Sequence, residues 1–129
     1  MIDAYREGLD ELELGDGLNA AKKFTEAELN FEITDYAAKS SIMASFALYG
    51  INFYDQAEEN IKRYLRTYPG DSNVIYAHYL LAIIYYEQIS DEKKDLQPLL
   101  KANEKIDFFL KEFPNTDYAI DLEFKKNNL

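Results

Sequence analysis

The sequence predicts an all-α protein, built from three helix pairs followed by the start of a seventh helix. Three observations lead there. The stretch Ala57–Pro69 (AEENIKRYLRTYP) returns 45 residues later as Ala102–Pro114 (ANEKIDFFLKEFP), sharing Ala, Ile, an aromatic, Leu, a second aromatic and Pro. A fainter copy lies 37 residues upstream, at Ala20, Phe24, Ala27 and Phe31, with Glu32 in place of the proline. Self-similarity at a spacing of ~30–50 residues is the mark of stacked supersecondary units, none of which can bury its apolar face alone. Finally, 5 Gly and 3 Pro in 129 residues are few, which suits long helices and short joints.

Apolar residues at spacings of three and four place the first helix over about Asp3 to Leu14, with Tyr5, Leu9 and Leu12 on one side. Gly15-Asp16-Gly17 breaks it. A second helix, about Leu18 to Phe31, aligns Ala20, Ala21, Phe24, Ala27 and Phe31. Thr34 and Asp35 are expected to cap a third helix that runs to about Ile51. That helix is apolar nearly all round, which predicts neighbours on both sides. Asp55 is the expected N-cap of the fourth, which ends at Tyr68 before the Pro69-Gly70 stop. The fifth, about Asn73 to Gln88, is the most apolar and aromatic; its length favours helix over strand, since strands rarely exceed about ten residues. Ser90 to Gln97 reads as a charged loop that stretches the period from 37 to 45. A sixth helix over about Leu99 to Phe113 and a seventh from Tyr118 to about Lys126 complete the chain. Short joints make consecutive helices antiparallel neighbours. The expected organisation is one repeat domain, 1–129, with pairs at about 2–32, 35–69 and 73–114 and a partial repeat over 115–129.

Composition narrows the function. A formal charge of −10 argues against nucleic acid, whose phosphates such a surface repels. The absence of cysteine removes disulfides, thiolate metal sites and cysteine nucleophiles from this segment. No run of 18 apolar residues occurs, so no membrane-spanning helix is predicted. Neither an EF-hand loop nor a phosphate-binding glycine motif is present. His78 is the one histidine and, between Tyr76 and Tyr79, reads as a packed or surface side chain rather than a base or a ligand. The carboxylates of Asp10, Glu11, Glu13, Glu26, Glu28, Glu58 and Glu59 read as solvated helix faces, and Lys62-Arg63…Arg66 and Lys93-Lys94 as surface charges. No enzyme, cofactor or metal is expected.

The pairs resemble the tetratricopeptide repeat, whose second helix carries an alanine, an apolar residue four on and a proline eight further on. Ala57, Ile61 and Pro69 match, as do Ala102, Ile106 and Pro114; the first copy has Ala20 and Phe24 without the proline. In the first helices Leu81-Ala82 with Tyr85 fits the repeat, Ala44-Ser45 with Leu48 fits adequately, and Gly8 fits although Glu11 stands where the tyrosine would be. The resemblance implies a right-handed superhelix with small residues where paired helices approach closely. Two departures narrow it: Tyr64 and Phe109 replace a usually small residue, and the intervals are long. With Asn73-Val-Ile-Tyr76-Ala-His-Tyr79 and Phe113-Pro-Asn-Thr-Asp-Tyr118-Ala119, the chain looks like the BamD/ComL family of outer-membrane β-barrel assembly lipoproteins, in its N-terminal half.

That resemblance implies a scaffold at the periplasmic face of the bacterial outer membrane, with other subunits of the β-barrel assembly complex and unfolded outer-membrane protein segments as partners. Membrane attachment would come only through a lipid anchor that this sequence does not contain. An adaptor of another tetratricopeptide type, in the envelope or the cytosol, is the alternative. In the repeat geometry the first helices line a concave face. The expected lining is Tyr5, Leu9 and Leu12, then Ile42, Phe46 and Tyr49, then Tyr76, Tyr79, Ile83 and Tyr86, with Ile2 and Lys39 at the two remaining positions. Tyrosine offers ring area and a hydroxyl together, which suits an extended peptide of no fixed sequence. The competing role for the same rings is packing between repeats. A carboxylate clamp is not expected, because Lys39 is the one basic residue among them.

Overall fold

The computed structural model describes residues 2–89 and 95–129. Among them lie seven α-helices and no strand: α1 (Ile2–Glu13), α2 (Gly17–Asn30), α3 (Thr34–Gly50), α4 (Tyr54–Thr67), α5 (Val74–Glu87), α6 (Gln97–Glu112) and α7 (Asp117–Asn127). They fall into two compact units, Met1–Val74 and Ile75–Leu129.

The repeated skeleton is the core. Ala20, Phe24 and Ala27 on α2, Ala57, Ile61 and Tyr64 on α4, and Ala102, Ile106 and Phe109 on α6 are all fully buried. In unit 1, α2 packs on both α1 and α3, and α3 on α4. Ala20, Ala21, Phe24, Ala44 and Ala47 form one buried cluster, with Tyr5, Leu12, Met43 and Leu48 packed against it. Small residues sit where helices approach, as the repeat logic requires. A Cβ built on Gly8 would fall 2.7 Å from the Phe24 ring, and one on Gly17 would fall 2.5 Å from the Ile51 side chain and 2.9 Å from the Ala47 carbonyl. Tyr5 completes the α1–α2 contact edge-on to Phe24, with centroids 5.4 Å apart. In unit 2, α5 buries Ala77 and Leu80 to Tyr85, α6 packs on α7, and α7 contributes Ala119 and Leu122.

The helix starts differ from expectation in instructive ways. Asp16, read as the middle of a glycine turn, is the N-cap of α2 and accepts hydrogen bonds from the Asn19 backbone N–H (3.1 Å) and Nδ2 (2.7 Å). Gly15 reaches that cap through a left-handed φ of +81°. Thr34 and Asp35 do not cap α3: they lie inside its first turn, Ile33 holds the cap position, and Asp35 meets the positive end of the helix. Asp55 likewise belongs to the first turn of α4, with Phe53 at the cap. Asn52 makes the preceding bend with φ 64°, a conformation asparagine tolerates. Gln97 and Pro98 are helical rather than loop, because proline at the first turn of α6 gives up an N–H that would be unpaired anyway. Asp95 and Leu96 precede the helix, and the remainder of the expected insertion, Ser90 to Lys94, lies outside the described residues.

Candidate functional site

The expected lining residues divide by unit, and each set can be followed from its helix. In unit 1, Tyr5 and Leu12 turn toward the buried cluster, and Tyr49 lies against Tyr54 with centroids 6.2 Å apart. Ile42 is 3% exposed and belongs to the core, because α2 and α4 both pack on α3. Leu9 and Phe46 are 39% and 40% exposed, open enough to meet a partner. In unit 2, Ile83 is 7% exposed and is also core. Tyr76, Tyr79 and Tyr86 are half-buried.

The unit 2 tyrosines are drawn into a cluster by α7. Tyr79 stacks on Tyr118 at 4.6 Å, and Tyr76 reaches both rings, at 6.5 and 6.0 Å. The Tyr79 hydroxyl donates to Asp121 at 2.6 Å, and Lys125 bridges both oxygens of the same carboxylate while lying 5.6 Å from the Tyr86 ring centroid. Burial works against the ionised Asp121, but the hydrogen bonds from Tyr79 and Lys125 and the ammonium charge prevail and hold it below the usual carboxylate range. Asp121 and Tyr118 were not among the expected lining residues. A signal existed for Asp121, since the 45-residue offset that links the two long repeats carries Tyr76 onto it.

Of the two roles open to His78, packed or surface, it takes the packed one. Its ring lies between Phe108 (5.3 Å) and Phe113 (5.6 Å), and Nδ1 is 2.8 Å from the Lys105 ammonium. Burial first, and the adjacent positive charge second, push its pKa down to about 4. A neutral imidazole accepting from Lys105 fills the space between two aromatic walls, and Lys105 itself sits over Phe108 at 4.5 Å. Among the described residues no group of three or more His, Cys, Asp or Glu is placed to hold a metal ion, and no helix is long and apolar enough to cross a membrane.

The polar network of unit 1 is where expectation and structure part. Glu28, read as a solvated carboxylate, has a side chain only 9% exposed. Arg63 clasps it with two hydrogen bonds, 3.0 Å from Nη1 and 2.6 Å from Nη2, and the Tyr68 hydroxyl donates a third at 2.6 Å. Arg63 Nη2 also reaches Ser41 Oγ (3.1 Å) and Asn60 Oδ1 (3.0 Å), so it is no simple surface charge. Asn60 in turn donates to the Ser41 carbonyl (2.9 Å) and Ser45 Oγ (2.8 Å). Ser40, Ser41 and Ser45 are fully buried. Burial and the Glu28 bond raise the Tyr68 pKa to about 12, so the hydroxyl stays a donor. Glu28 looks solvated from α2 alone, because its partners come from α4 and the residue that follows it.

Beside this network a cleft of about 320 Å³ opens over α3 between α2 and α4, lined by Thr25, Ala44, Leu48, Gln56, Glu59, Asn60, Arg63 and Arg66. The unusual aromatic of the repeat is explained nearby. Tyr64, fully buried, extends its hydroxyl to Asp71, which also accepts from the Asn73 backbone N–H at 3.1 Å. Burial and then that carboxylate drive the Tyr64 pKa far upward. Phe109, its counterpart, has no hydroxyl, and the following joint is instead held by Thr116, whose side chain caps α7 through the Ala119 N–H at 3.1 Å.

The family model described as YfiO, outer membrane lipoprotein, matches residues 1–129. A Caulobacter vibrioides protein named outer membrane protein assembly factor BamD is 33% identical over 121 residues, covering 94% of this chain and 40% of that protein. The Rickettsia prowazekii protein of the same name is 26% identical over 121 residues, covering 94% and 48%, and that of Neisseria gonorrhoeae 30% over 129 residues, covering 91% and 48%. The chain therefore spans less than half the length of these curated relatives. Helix content, repeat skeleton and a match over the whole sequence agree: the chain belongs to the YfiO family of outer membrane lipoproteins, whose members include the BamD assembly factors.

Proposed function

We propose that this chain is part of an outer-membrane protein assembly factor, a non-enzymatic scaffold that takes extended segments of unfolded outer-membrane proteins. Family membership over residues 1–129 is the observation that supports it, since the relatives carry that name. It would act at the periplasmic face of the outer membrane, held there by a lipid anchor and by the other subunits of the β-barrel assembly complex. The substrate-facing residues are those of the expected lining outside the core: exposed Leu9 and Phe46 and half-buried Tyr49 on unit 1, and half-buried Tyr76 and Tyr86 on unit 2. Their mixture of apolar area and hydroxyls suits peptides of varied sequence.

The test is a fluorescence-anisotropy titration of the full chain with a labelled peptide from the last strand of an outer-membrane protein, ending in an aromatic residue. A Leu9→Ser, Phe46→Ser variant and a Tyr86→Ala variant are expected to weaken binding several-fold each. Tyr79 is spared because it anchors α7. Unchanged affinity in both variants would overturn the assignment of these residues.

A further inference from the structure

We propose that the cleft over α3, between α2 and α4 of unit 1, is a docking site for an acidic side chain presented by a partner polypeptide. It goes beyond the function above, using neither the residues nor the ligand named there. The motif behind it is Lys62-Arg63…Arg66, three cations within five residues of α4 in a chain of net charge −10. Two of the three are spent: Lys62 pairs with Glu58 at 2.9 Å, and Arg63 is clasped by Glu28. Arg66 lines the cleft and, among the described residues, pairs with no carboxylate, so its planar fork of donors is available.

The surroundings select the ligand. Ala44 and Leu48 give the cleft an apolar floor, which accepts the methylene of an aspartate or glutamate. Gln56 and Glu59 stand at the same cleft with no partner of their own among the described residues. A peptide main chain can satisfy both, its carbonyl accepting from the Gln56 amide and its N–H donating to Glu59. Inorganic phosphate lacks that amide pair and the apolar stem, and it would bring its full charge against the Glu59 carboxylate. Size agrees, because about 320 Å³ lies near the lower end of the ~300–1,000 Å³ that ligand clefts occupy. That holds one side chain and a little main chain. Arg63 cannot swing into this space, since four acceptors fix its guanidinium, so the wall is set before the ligand arrives.

The experiment uses the full chain, isotopically labelled for amide NMR and titrated with N-acetyl-Leu-Asp-Leu amide, its Asn analogue, and inorganic phosphate. Saturable shifts are expected at Thr25, Ala44, Leu48 and Gln56 with the Asp peptide. The Asn analogue should bind about tenfold more weakly, the effect of losing one charged partner. Arg66→Gln should bring the Asp peptide down to the Asn level, and Arg66→Lys should restore part of the difference. Arg66 is exposed, so neither change threatens folding. Equal binding of the two peptides, phosphate binding as tightly as the Asp peptide, shifts centred elsewhere, or an Arg66→Gln chain with unchanged affinity would each overturn the proposal. The aromatic-ended peptide of the assembly function is a different probe, so either idea can fail while the other stands.

Discussion

Removing Arg63 tests the polar network most directly. In Arg63→Met the apolar stem survives, but the Glu28 carboxylate, 9% exposed, keeps among the described residues just the Tyr68 hydroxyl as a donor. Breaking a fully buried ion pair costs about 3–5 kcal/mol, whereas an exposed pair is worth about 0–1. The Arg63 side chain is 40% exposed, so water can reach part of the vacated space, and about 1.5–3 kcal/mol is expected. Glu28→Gln should cost less, about 1 kcal/mol, because the orphaned guanidinium is the better solvated partner. The double variant should fall short of the sum by about 1–2 kcal/mol. Lys62→Met is the comparison: its i,i+4 pair with Glu58 joins a half-exposed ammonium to a carboxylate 17% exposed, and a loss of about 0.5–1 kcal/mol is expected. Urea unfolding followed by far-UV circular dichroism gives all four values, provided the slopes agree. A coupling below about 0.3 kcal/mol, or an Arg63→Met loss no greater than that of Lys62→Met, would refute the claim that the network holds α2 to α4.

Two further predictions follow from single residues. His78 should titrate near pH 4 by imidazole NMR, against about 6.5 in the unfolded chain. The unfolded chain then gains a proton that the folded chain refuses, so stability should fall as pH drops from 6.5 towards 4, and His78→Gln should flatten that interval; a measured pKa of 6 or above would contradict the packing described. Gly8→Ala and Gly50→Ala should have opposite signs. At Gly8 the new methyl meets the buried Phe24 ring, an overpacking cost of ~1–3 kcal/mol that offsets or exceeds the ~1 kcal/mol gained in helix propensity, whereas nothing lies within 4 Å at Gly50 and a gain of a few tenths to ~1 kcal/mol is expected. Melting temperatures of the two variants decide it.

Much of the fold was legible because it rests on periodic burial. Ala57, Ile61 and Tyr64 announce one helix face, their recurrence announces a repeat, and all three are core. Helix ends were less legible. Asp16 caps and Asp55 does not, and a glycine just before the one or an asparagine three residues before the other does not declare which will form. The site was partly legible. Leu9 and Phe46 are exposed, but α3 packs on both α2 and α4, so its Ile42 faces a neighbour rather than a ligand. The burial of Glu28, Ser41 and Asn60 escaped notice for one reason: each is polar, and its main partners lie 15–40 positions away.

The buried serines of α3 have a mechanical consequence. Methyl groups facing methyl groups tolerate sliding, since a helix moved by one turn, about 5.4 Å, finds much the same surface again. The α3–α4 seam does not allow that, because Asn60 must find both the Ser41 carbonyl and the Ser45 hydroxyl, and Arg63 must find Ser41 as well as Glu28. A slip in either direction strands several buried polar atoms at once, each costing ~1–3 kcal/mol. The seam is keyed like a toothed rack, with alanine and serine supplying closeness and the amide and guanidinium supplying the teeth.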